Sequence, residues 1–250
     1  YVDREGGPFC GDRIDVLYSF FELFDLKNIP KIDLILYAVR KELVRATPPI
    51  KSHLEEKLLL ALFCHGALKE FWLQQMGKAS YVACLRVFPQ SWVMDPRPLP
   101  PHAVIPGLEI AGKPVSDWAQ VKQATQRERE LVLKPSGFSP LAWGSRGVVI
   151  GHDVSAEEWA EGVDAALSLF ERTPYVLQRF HKGRQFSVSY YDFDRGELKS
   201  MQARVRLCPY FFVSGETTRL GGILATAVSL EKKVIHGMSD AVMAPVAVRD

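Results

Sequence analysis

The chain has 250 residues, 47% hydrophobic and 24% charged, with 31 basic and 29 acidic side chains and a net charge of +2. That size and balance allow a large core in one or two domains and exclude the strong basic field of a nucleic-acid binder. No apolar run approaches the length of a membrane-spanning helix, no signal peptide opens the chain, and Tyr1 is not an initiator Met. The expectation is a cytoplasmic piece of a longer protein, with no membrane partner. Cys10, Cys64, Cys84 and Cys208 form no C-x-x-C pair and read as reduced thiols, which fits that compartment.

Residues 1–13 are turn-rich, with Gly6, Gly7, Pro8 and Gly11. Ile14, Val16 and Tyr18 alternate with other residues and predict a strand running into a short helix or turn near Phe24. Apolar residues at 32, 35, 36, 39 and 43 predict a helix over 32–46, stopped by Pro48 and Pro49. Ser52 and Glu55 have capping-box spacing for a helix reaching about Met76. Residues 82–88 are a strand candidate. Six prolines between Pro89 and Pro106 then suggest a stiff connection, with a domain boundary near residue 100. A charged helix with a solvated face is expected over 117–130.

The apolar runs 131–133 and 148–150 read as antiparallel strands around a long polar loop. Lys134 ends the first strand, and Gly137, Gly144 and Gly147 let the loop backbone approach a ligand closely or take positive φ. Converging N–H groups and an adjacent ammonium suit a phosphate; an ordinary hairpin with a long tip is the alternative. Ser155 and Glu158 form a second capping box, with Trp159, Val163, Ala166, Leu167 and Phe170 at helical spacing. A strand over 175–180 turns polar at its end. Strands follow at 185–193, 198–212, 223–228 and 233–236 in an antiparallel pattern. The predicted fold class is α+β, with mostly antiparallel sheets flanked by helices and a helical N-terminal part. Three parts are expected, at 1–100, 101–180 and 181–250.

The order strand, Lys-Pro, glycine loop, strand, helix, and strand ending in Gln-Arg-Phe resembles the nucleotide-binding half of the ATP-grasp enzymes. More closely it resembles their circularly permuted branch, which includes glutathionylspermidine synthase-like carboxylate–amine ligases. Arg13-Ile-Asp-Val-Leu-Tyr18 is similar to that branch's G-x-x-V-D-x-V-Y-R segment, with Ser19 in place of the arginine. Leu54-Glu-Glu-Lys57 resembles its S-N-K helix start. Leu133-Lys-Pro135 with Gly144-Ser-Arg-Gly-Val148 resembles its K-P-x-x-G-R-E-G-x-x-V loop with extra residues, and Tyr175-Val-Leu-Gln178 resembles Y-I-x-Q. The branch's metal-binding E-x-N pattern precedes the V-Y-R segment and is not in these 250 residues. Ala225 stands where its G-I-G-I-R-like segment has arginine.

The resemblance implies ATP and Mg²⁺ as cofactors, carboxylate and amine substrates, and a reaction through an acyl phosphate. A non-catalytic nucleotide-binding or interaction module is the alternative, and a phosphotransferase is a third possibility. Lys57 and Lys134 are implied phosphate contacts, aided by Gly144, Ser145 and Gly147; surface roles are the bland alternative. Gln178, with the backbone of Arg179 and Phe180, would read the adenine edge. Arg146 would meet charge on a transferred group. Arg204 and Arg206 alternate onto one strand face and ask for an anion between them, or for salt bridges to Asp192, Asp194 or Glu231. His236 and Asp240 read as acid/base or structural groups, and Phe138 and Trp143 as loop anchors or a closing lid. Loop 136–147 has few apolar anchors and is expected to be ordered by ligand.

Overall fold

The computed structural model describes residues 14–232, 234–235, 237 and 240–247, with Trp143 described by its backbone alone. Cys10, His236 and the turn-rich start lie outside the described residues. The fold is α+β with mostly antiparallel sheets. The packing separates two compact units, one ending at Phe180 and the other beginning at His181, with no division near residue 100. Among the described residues no helix is long and apolar enough to cross a membrane.

The first unit opens with β1 (Val16–Tyr18), α1 (Ile32–Arg40) and β2 (Arg45–Thr47), in which β1 and β2 pair in parallel. The helix predicted over 32–46 stops at Arg40: Glu42 takes a φ of 57°, and the chain beyond it is drawn into the strand pair. The capping box predicted at Ser52 does not form. Ser52 opens a 3₁₀ turn, and the Glu55 carboxylate accepts from Leu23 N–H at 2.8 Å instead.

Helix α2 (Leu58–Cys64) is therefore short, and α3 (Lys69–Val87) follows it, broken at Gly77 with φ 75°. The strand predicted over 82–88 is helical. Tyr81 within α3 and Phe88, the extended residue that caps its end, set their rings 5.2 and 5.1 Å from that of Phe63. Then comes β3 (Ser91–Val93), followed by the small hairpin of β4 (Glu109–Ile110) and β5 (Lys113–Pro114). The charged helix expected over 117–130 shortens to α4 (Trp118–Lys122), capped by Asp117 and Gln120.

Strands β6 (Leu131–Pro135) and β7 (Val149–Ile150), helix α5 (Ala156–Ser168) and β8 (Tyr175–Arg179) complete the unit. The sheet order is β3-β8-β6-β7, with antiparallel neighbours. The capping box of α5 forms as expected: Glu158 N–H donates to Ser155 Oγ at 3.1 Å, and Ser155 N–H to Glu158 Oε2 at 2.8 Å. Trp159, Val163 and Ala166 then bury completely against Leu131, Leu133 and Leu177. Helix α5 packs on β6 and helix α2 on β3 and β8, so the central strands are buried along nearly their whole length.

The second unit is a four-stranded antiparallel sheet of β9 (Gln185–Asp192), β10 (Glu197–Ser214), β11 (Thr217–Ser229) and β12 (Ala241–Pro245), in the order β12-β11-β10-β9. Lys233 and His236 of the last predicted strand lie outside the described residues, and the described strand is β12. Strand β9 pairs only as far as Arg204, and β12 only with Leu224–Val228. The remainder of β10 and β11 runs out as a two-stranded ribbon carrying the exposed side chains of Phe211, Phe212 and Val213. The Phe212 ring lies over Gly221, where a Cβ would stand 2.5 Å from it and push the exposed ring aside.

Candidate functional site

The register of the first unit's sheet builds a polar row. Side chains alternate across a strand, so Leu131, Leu133 and Leu177 face the α5 core while Val132, Lys134, Val176 and Gln178 take the other face. Gln178 is directly opposite Ser91 on β3 and diagonal to Lys134 on β6. Lys134 Nζ donates to Gln178 Oε1 at 2.6 Å, Gln178 Nε2 donates to Ser91 Oγ at 2.8 Å, and Ser91 Oγ donates to the Pro89 carbonyl at 2.9 Å. Ser91 and Gln178 are buried, and Lys134 is half-buried.

Lys57 arrives from the other direction, as the residue just before α2. Burial first, and Lys57 second, hold Lys134 below the ordinary lysine pKa. Lys57 is also held low by burial, against the opposing pull of the Glu56 and Glu22 carboxylates. Among the described residues no carboxylate pairs with Lys134; its hydrogen-bond partner is a neutral amide.

Glu56, which the sequence did not single out, joins these parts. Its Oε2 accepts from Ser136 Oγ at 2.6 Å, and its Oε1 accepts from the N–H groups of Gly137 at 3.2 Å and Leu58 at 3.0 Å. The carboxylate thus clips the start of the glycine loop to the start of α2. Gly137 is required for the fit: a Cβ there would lie 2.2 Å from the Glu55 carbonyl oxygen.

The first half of the loop is more firmly held than its composition suggests. Ser136 N–H donates to Pro174 O, Gly137 to Glu56, Phe138 and Ser139 to the hydroxyl and carbonyl of Ser136, and Leu141 and Ala142 to those of Ser139. Pro140 has no N–H. These donors are therefore occupied before any phosphate arrives, and the expectation of a loose loop does not describe residues 136–142. The turn beyond them is sharp, with left-handed φ of 63° at Gly144 and 61° at Ser145. Gly147 packs against Leu141 and Pro135, where a Cβ would come within 2.9 Å of both side chains.

Lys57, Gly137, Ala142 and Gly144 line one cavity of about 210 Å³ together with Glu22, Phe24 and Glu55. Phe138 lines another, of about 460 Å³, with Phe24 and Asp25. Lys134 and Gln178 are thus brought together, and the glycine loop borders the Lys57 cavity. Gln178 has its oxygen and one amide hydrogen engaged inside the protein, which is a different placement from an edge free to read adenine. The N–H groups of Arg179 and Phe180 donate to the Gln90 and Glu130 carbonyls. The Phe180 ring makes an edge contact with His152 at 4.7 Å, and Arg146 is exposed.

Arg204 and Arg206 belong to the second unit. Arg204 Nη2 donates to the Leu230 carbonyl at 3.1 Å and also to that of Lys232, so this guanidinium braces the turn after β11. Arg206 is exposed, and Asp192 pairs with Lys199 at 2.5 Å. Asp240 takes a φ of 46° in the turn before β12. The links among Ser91, Gln178 and Lys134, and between Glu56 and Ser136, span 44 to 87 residues, and no local pattern announces them. Comparison with known proteins found no protein-family model and no curated protein that matches this chain.

Proposed function

We propose that Lys57, Lys134 and the loop of Gly137, Gly144, Ser145 and Gly147 hold the phosphates of ATP, and that the protein is an ATP-dependent carboxylate–amine ligase. One observation carries the reading: the half-buried Lys134, on which the charge of Lys57 from a separate element also acts, is tied to an amide rather than a carboxylate. Like charges in that position ask for an anion, and a polyphosphate meets both ammonium groups at once. The Lys57 cavity is also bordered by glycines, which permit close approach of a ligand.

Among the described residues no group of three or more His, Cys, Asp or Glu could hold a metal ion. Mg²⁺ commonly relies on phosphate oxygens, water and one or two carboxylates, and Glu22 and Glu55 beside Lys57 fit that part. Mg²⁺, were it bound there, would be held in part by Glu22 and Glu55 and would offset phosphate charge. The lysines orient the triphosphate and stabilise charge as the terminal phosphoryl group moves to a carboxylate oxygen and ADP leaves. An amine then attacks the acyl carbon, phosphate departs, and the amine loses a proton to leave an amide. Free thiols at Cys64, Cys84 and Cys208 support a reducing, cytoplasmic setting.

A non-catalytic nucleotide-binding module is the second reading, favoured by the structural use of Arg204. Calorimetry of Mg-ATP binding to the full-length protein tests the site. Lys134→Met is expected to weaken binding by about 1.5–3 kcal/mol, the scale of a hydrogen bond to a charged group. Unchanged affinity removes Lys134 from the site. ADP release across amine and amino-acid acceptors separates ligase from module.

A further inference from the structure

The polar row contains an asymmetry that its hydrogen-bond directions make plain. Ser91 has one hydroxyl proton, and the Pro89 carbonyl receives it. The Ser91 oxygen is then an acceptor for the Gln178 amide nitrogen, which turns the Gln178 oxygen toward Lys134. A flipped amide would set an NH₂ group against an ammonium, donor against donor. Gln178 is therefore locked as an acceptor.

We propose that Gln178 is a neutral tether for Lys134: anchored through Ser91, it aims the ammonium while leaving its positive charge whole for an incoming anion. A glutamate of the same shape would neutralise Lys134 and turn an anion away, and its second oxygen would meet the Ser91 oxygen acceptor to acceptor. This is a positioning role, and it rests on the phosphate-binding reading above. It gives Gln178 a task other than reading the adenine edge. The charged group acting directly on Lys134 is Lys57 at the start of α2, with Glu56 and Glu22 acting through Lys57.

The test compares Gln178→Glu, Gln178→Met and Ser91→Ala in the full-length protein, using two readouts. The first is the pH midpoint for acylation of Lys134 by a small amine-reactive ester, followed by mass spectrometry without nucleotide. The second is binding of Mg-ATP and of inorganic tripolyphosphate. A tether predicts opposite shifts: Gln178→Glu moves the midpoint up, whereas Gln178→Met and Ser91→Ala move it down. It also predicts at least tenfold weaker tripolyphosphate binding for Gln178→Glu.

Any carboxylate set beside the ammonium raises the midpoint, so the neutral variants decide: a merely structural glutamine predicts no shift for Gln178→Met and Ser91→Ala, and that result overturns the proposal. Midpoints that move the same way in the Glu and Met variants also overturn it. Should Gln178→Glu fail to fold, an unshifted midpoint in Ser91→Ala overturns it in its place. If the unaltered protein binds neither ATP nor tripolyphosphate, the functional reading fails, while the opposite midpoint shifts still uphold the tether.

Discussion

Replacing Glu56 by glutamine perturbs the junction of loop and helix with almost no change of volume. The carboxylate accepts three hydrogen bonds, from Ser136 Oγ, Gly137 N–H and Leu58 N–H. Hydrogen bonds to a charged group are worth about 1.5–3 kcal/mol, against about 0.5–1.5 kcal/mol for neutral ones. Losing the charge removes roughly 1 kcal/mol from each of three bonds, and partial exposure of Glu56 brings the expected loss to about 2 kcal/mol. The amide also confronts the Ser136 hydroxyl with a donor, so that bond must reverse.

Urea unfolding of Glu56→Gln is the assay, with the change read from the midpoint at constant slope. A cycle of Glu56→Ala, Ser136→Ala and the double variant should give a coupling of about 1 kcal/mol. A loss below about 0.5 kcal/mol for Glu56→Gln, together with strictly additive alanine variants, would refute the idea that this carboxylate clips loop to helix.

Three further outcomes are expected. Because Lys57 and Lys134 are held below the ordinary lysine value, Mg-ATP affinity should fall as pH rises through their lowered values, well before pH 10.4 or so. Folding stability should move oppositely across that window: the unfolded chain still binds protons that the folded lysines have released, so stability rises with pH there. Calorimetric titrations and urea midpoints at several pH values check both signs. Ser155→Ala should cost about 1 kcal/mol by removing one half of the α5 capping box, and Glu158→Ala added to it should cost less than it does alone.

The sequence was most readable where structure is decided locally. The box at Ser155 and Glu158, with Trp159, Val163 and Ala166 at helical spacing, contains both its start signal and its buried face. The runs at 131–133 and 148–150 were equally plain. Reading failed where a distant partner decided. The pattern at Ser52 and Glu55 has capping spacing, but the Glu55 carboxylate is claimed by Leu23, 32 residues away. The β-like composition of 82–88 is overruled by tertiary contacts: the ring of Phe63 gathers those of Tyr81 in α3 and of Phe88 just past its end. For the site, Lys57 and Lys134 were legible as cations in odd places. Their convergence, the Gln178–Ser91 anchor and the role of Glu56 depend on which strands and helices meet, and one sequence does not state that.

Gly137 has a consequence for how the site can move. Its α-carbon presses so closely on the Glu55 carbonyl that nothing larger than hydrogen fits between them. The end of β6 and the approach to α2 are therefore geared together, and a displacement of one is transmitted to the other. Lys134 rides on the first of these parts and Lys57 on the second, so the backbones that carry the two lysines are held to each other. Any displacement of this part of the unit has to hinge outside this junction, with both lysines carried along.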